Sequence, residues 1–425
     1  VTATIEVAMM LGIALATIGT FSSRVDIVLL ALPLLAAAAI GLDRKPGSGG
    51  RSTVRADVTR SPGASVFGYR VEIEAPSGVE LVHLRLTPPN SHSCNLILAA
   101  GSAGAITGAV PVLHSGRQRV ITVEYRLVGT DGNWMSLPSP RVVAERVVSP
   151  SITRIASIPL PHRLTGLTGT HASTRVGDGG EFRDVHPYAP GDRLRRIDWK
   201  ATARRSQGFG DLYVRRTDAT SDATIILVLD SREDIGERVA DWSSGPASSG
   251  DGGLSTMDLA REAAASLAVS AIGSGDRVGL IDLAAYAGVV APGGGKRHLD
   301  RVLRRIAVSE PSGTRLDRRR APVVPTGAII YLLSTFLDDE TTGIALLWRA
   351  VGHRVIAVDV LPDPCLFGTE RHTLIAHRLV MAERRRRMDD VRANGVELFR
   401  WQENAEQPSR AVAIRALARV GRSRR

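Results

Sequence analysis

Cysteine is nearly absent from this chain. Only Cys94 and Cys365 occur in 425 residues, far apart and with no histidine cluster nearby. Neither a disulfide scaffold nor a cysteine-based zinc site is expected from such usage. Lysine is almost as scarce: Lys45, Lys200 and Lys296 are the whole complement, and every other basic residue of this kind is arginine. Much of the net charge of +11 is therefore read as coding bias rather than as nucleic-acid binding. Two enzyme signatures are also missing. Asp230-Ser231 has no Gly-x-Ser-x-Gly elbow and no histidine partner close by. Gly293-Gly294-Gly295-Lys296 lacks the earlier glycine and the following Ser or Thr of a phosphate-binding loop, and reads as a hairpin or a strand-to-helix turn.

What is present is the composition of a globular protein, 44% hydrophobic and 23% charged, which excludes a wholly disordered chain. At roughly 150 residues per domain, the length suggests about two or three domains.

Residues 1–45 hold two apolar runs, Ile5 to Phe21 and Ile27 to Leu42, parted by a polar turn at 22–26. Each run is about 16 or 17 residues, at the short end of the spanning range. A signal peptide needs basic residues before the first run, and there are none. A buried helical hairpin is the other alternative. The expectation is a two-helix transmembrane hairpin. Arg44, Lys45, Arg51, Arg55 and Arg60 follow the second run, whereas the turn carries only Arg24. The expected localisation is thus the cell membrane, with the bulk of the chain cytoplasmic.

Pro46 to Arg51 reads as a flexible linker. Over 52–150 the period becomes two: Phe67, Tyr69, Val71 and Ile73 alternate with Gly68, Arg70, Glu72 and Glu74, and Val123, Tyr125 and Leu127 do the same further on. Such alternation predicts half-buried strands, and the economical fold is a β-sandwich of immunoglobulin-like type. His83, His92 and His114 are dispersed and read as ordinary histidines.

The stretch 151–216 is a linker and a dense segment of mixed charge with interleaved aromatics. Arginine forks clamping carboxylates is one reading, and a partner-binding surface is another. Nucleic acid is a third, weakened by Glu181, Asp184, Asp192 and Asp198, which repel phosphate.

Over 217–425 strands and helices alternate. Thr224 to Leu229 is a continuous apolar run ending in Asp230, as a buried parallel strand requires. Similar runs at 276–283, 328–333, 354–360 and 396–401, with helical spacing between them, predict a doubly wound sheet. Ligands of such sheets sit beyond the carboxyl ends of the strands, where Asp230, Ser334 and Asp338 fall. The Gly- and Ser-rich loop 236–255 lies beside that edge. Arginines at 384–387 and in the tail 410–425 form basic helical patterns, suited to anionic lipid or simply to solvent.

Glu181-Phe182-Arg183, then Tyr188-x-Pro190-Gly191-Asp192, then Arg196-Ile197-Asp198-Trp199-Lys200-Ala201-Thr202-Ala203-Arg204 resembles the signature of domain-of-unknown-function family 58. The resemblance implies an N-terminal membrane hairpin, a β-rich stretch, this signature and then a von Willebrand factor type A-like domain. It also implies a MoxR-type AAA+ ATPase as partner. The first loop of a type A domain usually reads Asp-x-Ser-x-Ser and holds a divalent cation. Here it reads Asp230-Ser231-Arg232-Glu233-Asp234, and Ser334-Thr335 stands where Ser-Asp is usual. Asp230, Ser334 and Asp338 are thus degenerate metal candidates, no cofactor is expected, and Arg232 is placed to take the metal's position by pairing with Asp230 or Asp234.

The function expected is a membrane-anchored scaffold or adaptor for the ATPase and other proteins, with no specific nucleic acid. Its signature loop would be clamped by Arg196, Asp198, Lys200 and Arg204 with Asp192. The alternative is a divalent-metal-dependent enzyme or ligand-binding module at the sheet edge.

Overall fold

The computed structural model of the chain describes residues 3–43, 53–59, 66–76, 78–89, 91–100, 105–129, 134–161, 164, 169–205, 211–243, 253–284, 289–312, 321–403 and 409–423. The linker expected at 46–51 and the centre of the Gly- and Ser-rich loop, 244–252, lie outside the described residues. The chain divides into two units. One is chiefly Val1–Leu113 with Arg117–Arg146; the other is His114–Gly116, Val147–Ser248 and Gly252–Arg425.

In the first unit, helices α1 (Ala3–Phe21) and α2 (Val25–Asp43) form a hairpin through Ser22–Arg24. Glycine lets them close on one another: a Cβ on Gly19 would lie 2.6 Å from the Val28 side chain. Among the described residues, however, no helix is long and apolar enough to cross a membrane. That overturns the transmembrane hairpin expected from the sequence. The uncharged runs fall short of the ~20 residues that a bilayer core requires, and the carboxylates of Glu6 and Asp26 lie in the first turns of the two helices.

Among the described residues the same unit holds seven strands, β6 and β7 each with an end in the second unit: β1 (Thr53–Thr59), β2 (Val66–Glu74), β3 (Val79–Thr87), β4 (Cys94–Ala99), β5 (Ile106–Pro111), β6 (Gly116–Gly129) and β7 (Val142–Val148). They make two sheets, ordered β1-β2-β5 and β4-β3-β6-β7. Antiparallel pairing joins β1 to β2, β2 to β5, and β3 to both β4 and β6. The period-two pattern sorts the faces: Phe67 and Val71 are buried while Arg70, Glu72 and Glu74 face water. Ile73 of the first sheet packs on Val82 and Leu127 of the second, beside Trp134.

In the second unit a ribbon of β8 (His171–Pro187) and β9 (Tyr213–Ser221) carries the short helix α3 (Trp199–Arg205) between its strands. Then follow β10 (Thr224–Leu229), α4 (Thr256–Gly273), β11 (Arg277–Asp282), β12 (Val290–Gly293), α5 (Lys296–Ala307), β13 (Ile329–Ser334), α6 (Asp339–Ala350), β14 (Arg354–Asp359), α7 (Arg371–Ala393), β15 (Glu397–Arg400) and α8 (Arg410–Ser423). The sheet order is β12-β11-β10-β13-β14-β15, parallel throughout except for the antiparallel edge strand β12.

Its strands are buried on both faces, which is why they read as unbroken apolar runs. Ile225, Leu227 and Leu229 face α4, α5 and α8, whereas Ile226 and Val228 face α6 and α7. The helices therefore cover both sides, and the chain reverses between β10 and β13. That switch point opens a crevice at the carboxyl ends of the strands. Gly293-Gly294-Gly295-Lys296 is a strand-to-helix turn joining β12 to α5.

Candidate functional site

Three of the central strands end in a carboxylate: β10 runs into Asp230, β11 ends at Asp282 and β14 at Asp359. Each carboxylate is engaged. The backbone N–H of Asp230 donates to the Leu333 carbonyl at 3.0 Å, which locks the loop onto β13. The Asp230 carboxylate then receives Arg232 Nε at 2.8 Å on Oδ1, Arg232 Nη2 at 3.0 Å on Oδ2, and the Ser334 hydroxyl at 2.7 Å on Oδ2.

Arg232 also reaches further. Its Nη2 lies 2.8 Å from Asp338 Oδ2 and its Nη1 lies 2.5 Å from Glu340 Oε2. The guanidinium is only 4% exposed, yet three carboxylates surround it. Burial alone lowers the pKa of such a group, but the bonds and charges of Asp230, Asp338 and Glu340 outweigh it. The net shift is upward, so Arg232 is permanently charged. Planar fork geometry explains why arginine serves here, since one guanidinium satisfies several carboxylates at once.

Of the degenerate metal candidates, Asp230 and Asp338 converge on Arg232, and Ser334 joins them through Asp230. Among the described residues no group of three or more His, Cys, Asp or Glu side chains is arranged to hold a metal ion. Asp234, the other partner considered for Arg232, does different work. Its Oδ1 accepts from the Thr256 hydroxyl and the Met257 N–H, each at 3.0 Å, at the start of α4. Asp338 caps α6 by accepting from the Thr341 N–H at 3.2 Å.

Around this centre the edge is a continuous polar network. Asp282 accepts from the hydroxyls of Ser231 and Ser309, the latter at 2.6 Å. Asp359 pairs with Arg384 of α7, whose Nε donates to the Thr335 carbonyl at 2.6 Å. Glu340, Asp282 and Asp359 are not singled out by the sequence, and Arg384 enters there only as part of the basic run 384–387. Aspartate at the end of an apolar strand run was the available signal for two of them, since the feature that marked Asp230 recurs at 282 and 359. Beside β14 and β15 lies a cleft of about 450 Å³ whose lining includes Leu361, Met381, Arg384, Arg385, Phe399 and Arg400.

In the signature segment the carboxylates of the expected clamp bond to backbone amides. Asp192 Oδ2 accepts from the Ala189 N–H at 3.0 Å, closing its own turn with Gly191 at φ +106°. Asp198 Oδ1 accepts from the Lys200 and Ala201 N–H groups at 3.1 and 2.9 Å, which caps α3. Arg196 Nη1 donates to the Gly177 carbonyl at 3.0 Å, tying the segment to β8, and Arg183 pairs with Asp218 at 3.3 Å. Arg204, Lys200, Glu181, Tyr188 and Trp199 are exposed. Both carboxylates order the segment through backbone amides of their own turns.

Comparison with known proteins overlaps the signature segment from residue 184 onward and continues into the sheet. Residues 184–364 match the family described as "Protein of unknown function DUF58". Uncharacterized proteins of Mycobacterium bovis and Mycobacterium tuberculosis are each 30% identical to the chain over 221 residues. The match covers 50% of this chain and 64% of each relative's length.

Proposed function

We propose that the chain is a protein-binding scaffold or adaptor whose doubly wound sheet, of von Willebrand factor type A-like kind, presents a rigid edge to a partner. Its partner on this reading is a MoxR-type AAA+ ATPase, and the role is in protein maturation or envelope homeostasis. The observation that carries the reading is the Arg232 centre. Where the chemistry of such sheets resides, a buried guanidinium is gripped by Asp230, Asp338 and Glu340. Groups so tied supply a fixed shape and charge rather than a free acid, base or nucleophile. The exposed signature segment adds a second recognition element.

The test is retention of the MoxR-type ATPase of the same genome on the immobilised full chain, with and without ATP. Saturable retention is expected. An ATPase that passes through unretained in both nucleotide states overturns the partnership.

A further inference from the structure

We infer that the projecting face of the signature segment recognises an acidic protein surface, with Trp199 as its apolar anchor. The inference rests on the adaptor reading and names the surface and the chemistry of what it meets.

Two turns of the segment leave β9 at one place. The Tyr188 N–H donates to the Leu212 carbonyl and the Asp198 N–H to the Tyr213 carbonyl, both at 2.8 Å. The residues next to these anchors stand in water: Trp199 is 69% exposed, Leu194 65% and Tyr188 37%. Tryptophan is ordinarily well buried, and large apolar side chains beside arginines are the composition of interface hot spots.

Charge gives the partner's sign. Arg195, Lys200, Arg204 and Arg205 are exposed on the same segment. The two carboxylates between these apolar residues, Asp192 and Asp198, are half-buried and turn toward backbone N–H groups of their own turns, so the exposed cations outnumber them. A surface that is cationic around apolar anchors complements an acidic surface with an apolar recess. Nucleic acid fits less well. Its bases need stacking platforms, and Leu194, 65% exposed, offers no ring.

The experiment titrates the full chain, at about 0.15 M ionic strength, with two probes of equal charge: a peptide of repeated Glu-Glu-Leu triplets and an oligothymidylate. Saturable binding of the peptide is expected, tighter than that of the oligonucleotide. It should weaken at least about tenfold in Trp199→Ala and in the double variant Arg204→Ser/Arg205→Ser. Arg297→Ser/Arg301→Ser, on the exposed basic face of α5, should leave it unchanged. Unaltered thermal unfolding of these surface variants keeps the comparison clean. Tighter binding of the oligonucleotide, no binding of the peptide, or equal binding by all variants overturns the inference. None of those outcomes touches retention of the ATPase, so the two readings fail separately.

Discussion

Arg232 grips Asp230 with two nitrogens, Nε at 2.8 Å and Nη2 at 3.0 Å, and the two side chains are only 4% and 9% exposed. The pair sits two residues apart at the end of β10, so one short loop carries both the carboxylate and the cation that answers it. Removing one partner of a buried pair leaves an uncompensated charge, at a cost of about 3–5 kcal/mol. Arg232→Ala should therefore lower the unfolding free energy of the second unit by that amount, read from the shift of its denaturant midpoint. Arg232→Lys should recover only part of the loss, because an ammonium cannot fork between Asp230, Asp338 and Glu340. An Ala variant as stable as the parent chain would remove the ion pair from the account.

Shortening the same residue and placing a hydroxyl there gives a different expectation. In Arg232→Ser the carboxylates of Asp230, Asp338 and Glu340 lose their guanidinium and leave hard oxygen donors around the vacated volume, while the Ser334 hydroxyl keeps its bond to Asp230. Magnesium or manganese should raise the melting temperature of Arg232→Ser and leave the parent chain unmoved, as ligand linkage requires. Micromolar binding by the parent chain, lost in Asp230→Ala, would instead revive a metal-dependent role for the edge.

A second network responds to pH. His114 Nδ1 lies 2.6 Å from Asp258 Oδ2, and Ser115 donates to Oδ1 through its N–H at 2.7 Å and its hydroxyl at 2.9 Å. The bond to Asp258 raises the His114 pKa, and burial only partly opposes it. Burial pushes Asp258 upward, but the bonds from His114 and Ser115 more than offset this and hold it below the usual value. For His114 the folded pKa lies above the unfolded one. Its contribution is full below about pH 6.5 and is lost as pH rises through the raised value. For Asp258 the sign reverses: its contribution is present above about pH 4 and is lost as pH falls through the depressed value. Stability measured against pH should fall on the alkaline side of His114, and His114→Gln should flatten that side. An unchanged alkaline slope in the variant would assign the dependence to another group.

Arg384 and Asp359 offer a test of coupling. Both side chains are buried, at 7% and 6% exposure, and Arg384 also holds the Thr335 carbonyl. Arg384→Met strands the carboxylate at the end of β14, whereas adding Asp359→Asn removes the charge that was stranded. The double variant should be more stable than the two single losses summed, by about 1–3 kcal/mol in a denaturation cycle. Strict additivity would mean that the pair contributes nothing beyond its separate backbone contacts.

The legible parts of this molecule are those where burial imposes a period. Phe67 and Val71 announced a half-buried strand because Arg70 and Glu72 face water beside them. Thr224 to Leu229 announced a parallel strand because both faces are covered by helices. Strand β12 was missed because it is a short edge strand containing Pro292 and ending in glycine, with no period to read. The apolar runs of α1 and α2 showed a helical hairpin but overstated its reach. At the site, Asp230 and Arg232 were visible because they are local. Glu340 was not, because what brings it to Arg232 is the register of β10 on β13 rather than anything near it in sequence. Arginine forks can reach many carboxylates of a charged segment, so composition alone cannot choose among them.

The signature loop shows that ambiguity most clearly, and it can be resolved at the bench. A clamp between Asp192 and Arg204 requires each to matter only while the other is present. In the structure Asp192 instead accepts the Ala189 N–H of its own turn, and Arg204 stands in water. Asp192→Ala should therefore free that amide and open the turn to protease, because local opening governs cleavage when closure is fast. Arg204→Ala should leave the cleavage rate where it was. The double variant should then be cut at the rate of Asp192→Ala alone, since an exposed arginine adds nothing to a turn closed by a backbone bond. A double variant cut no faster than the parent chain would remove Asp192 from the turn. One in which the loss of Arg204 slows or speeds cleavage beyond the single Asp192 change would return the arginine to the clamp.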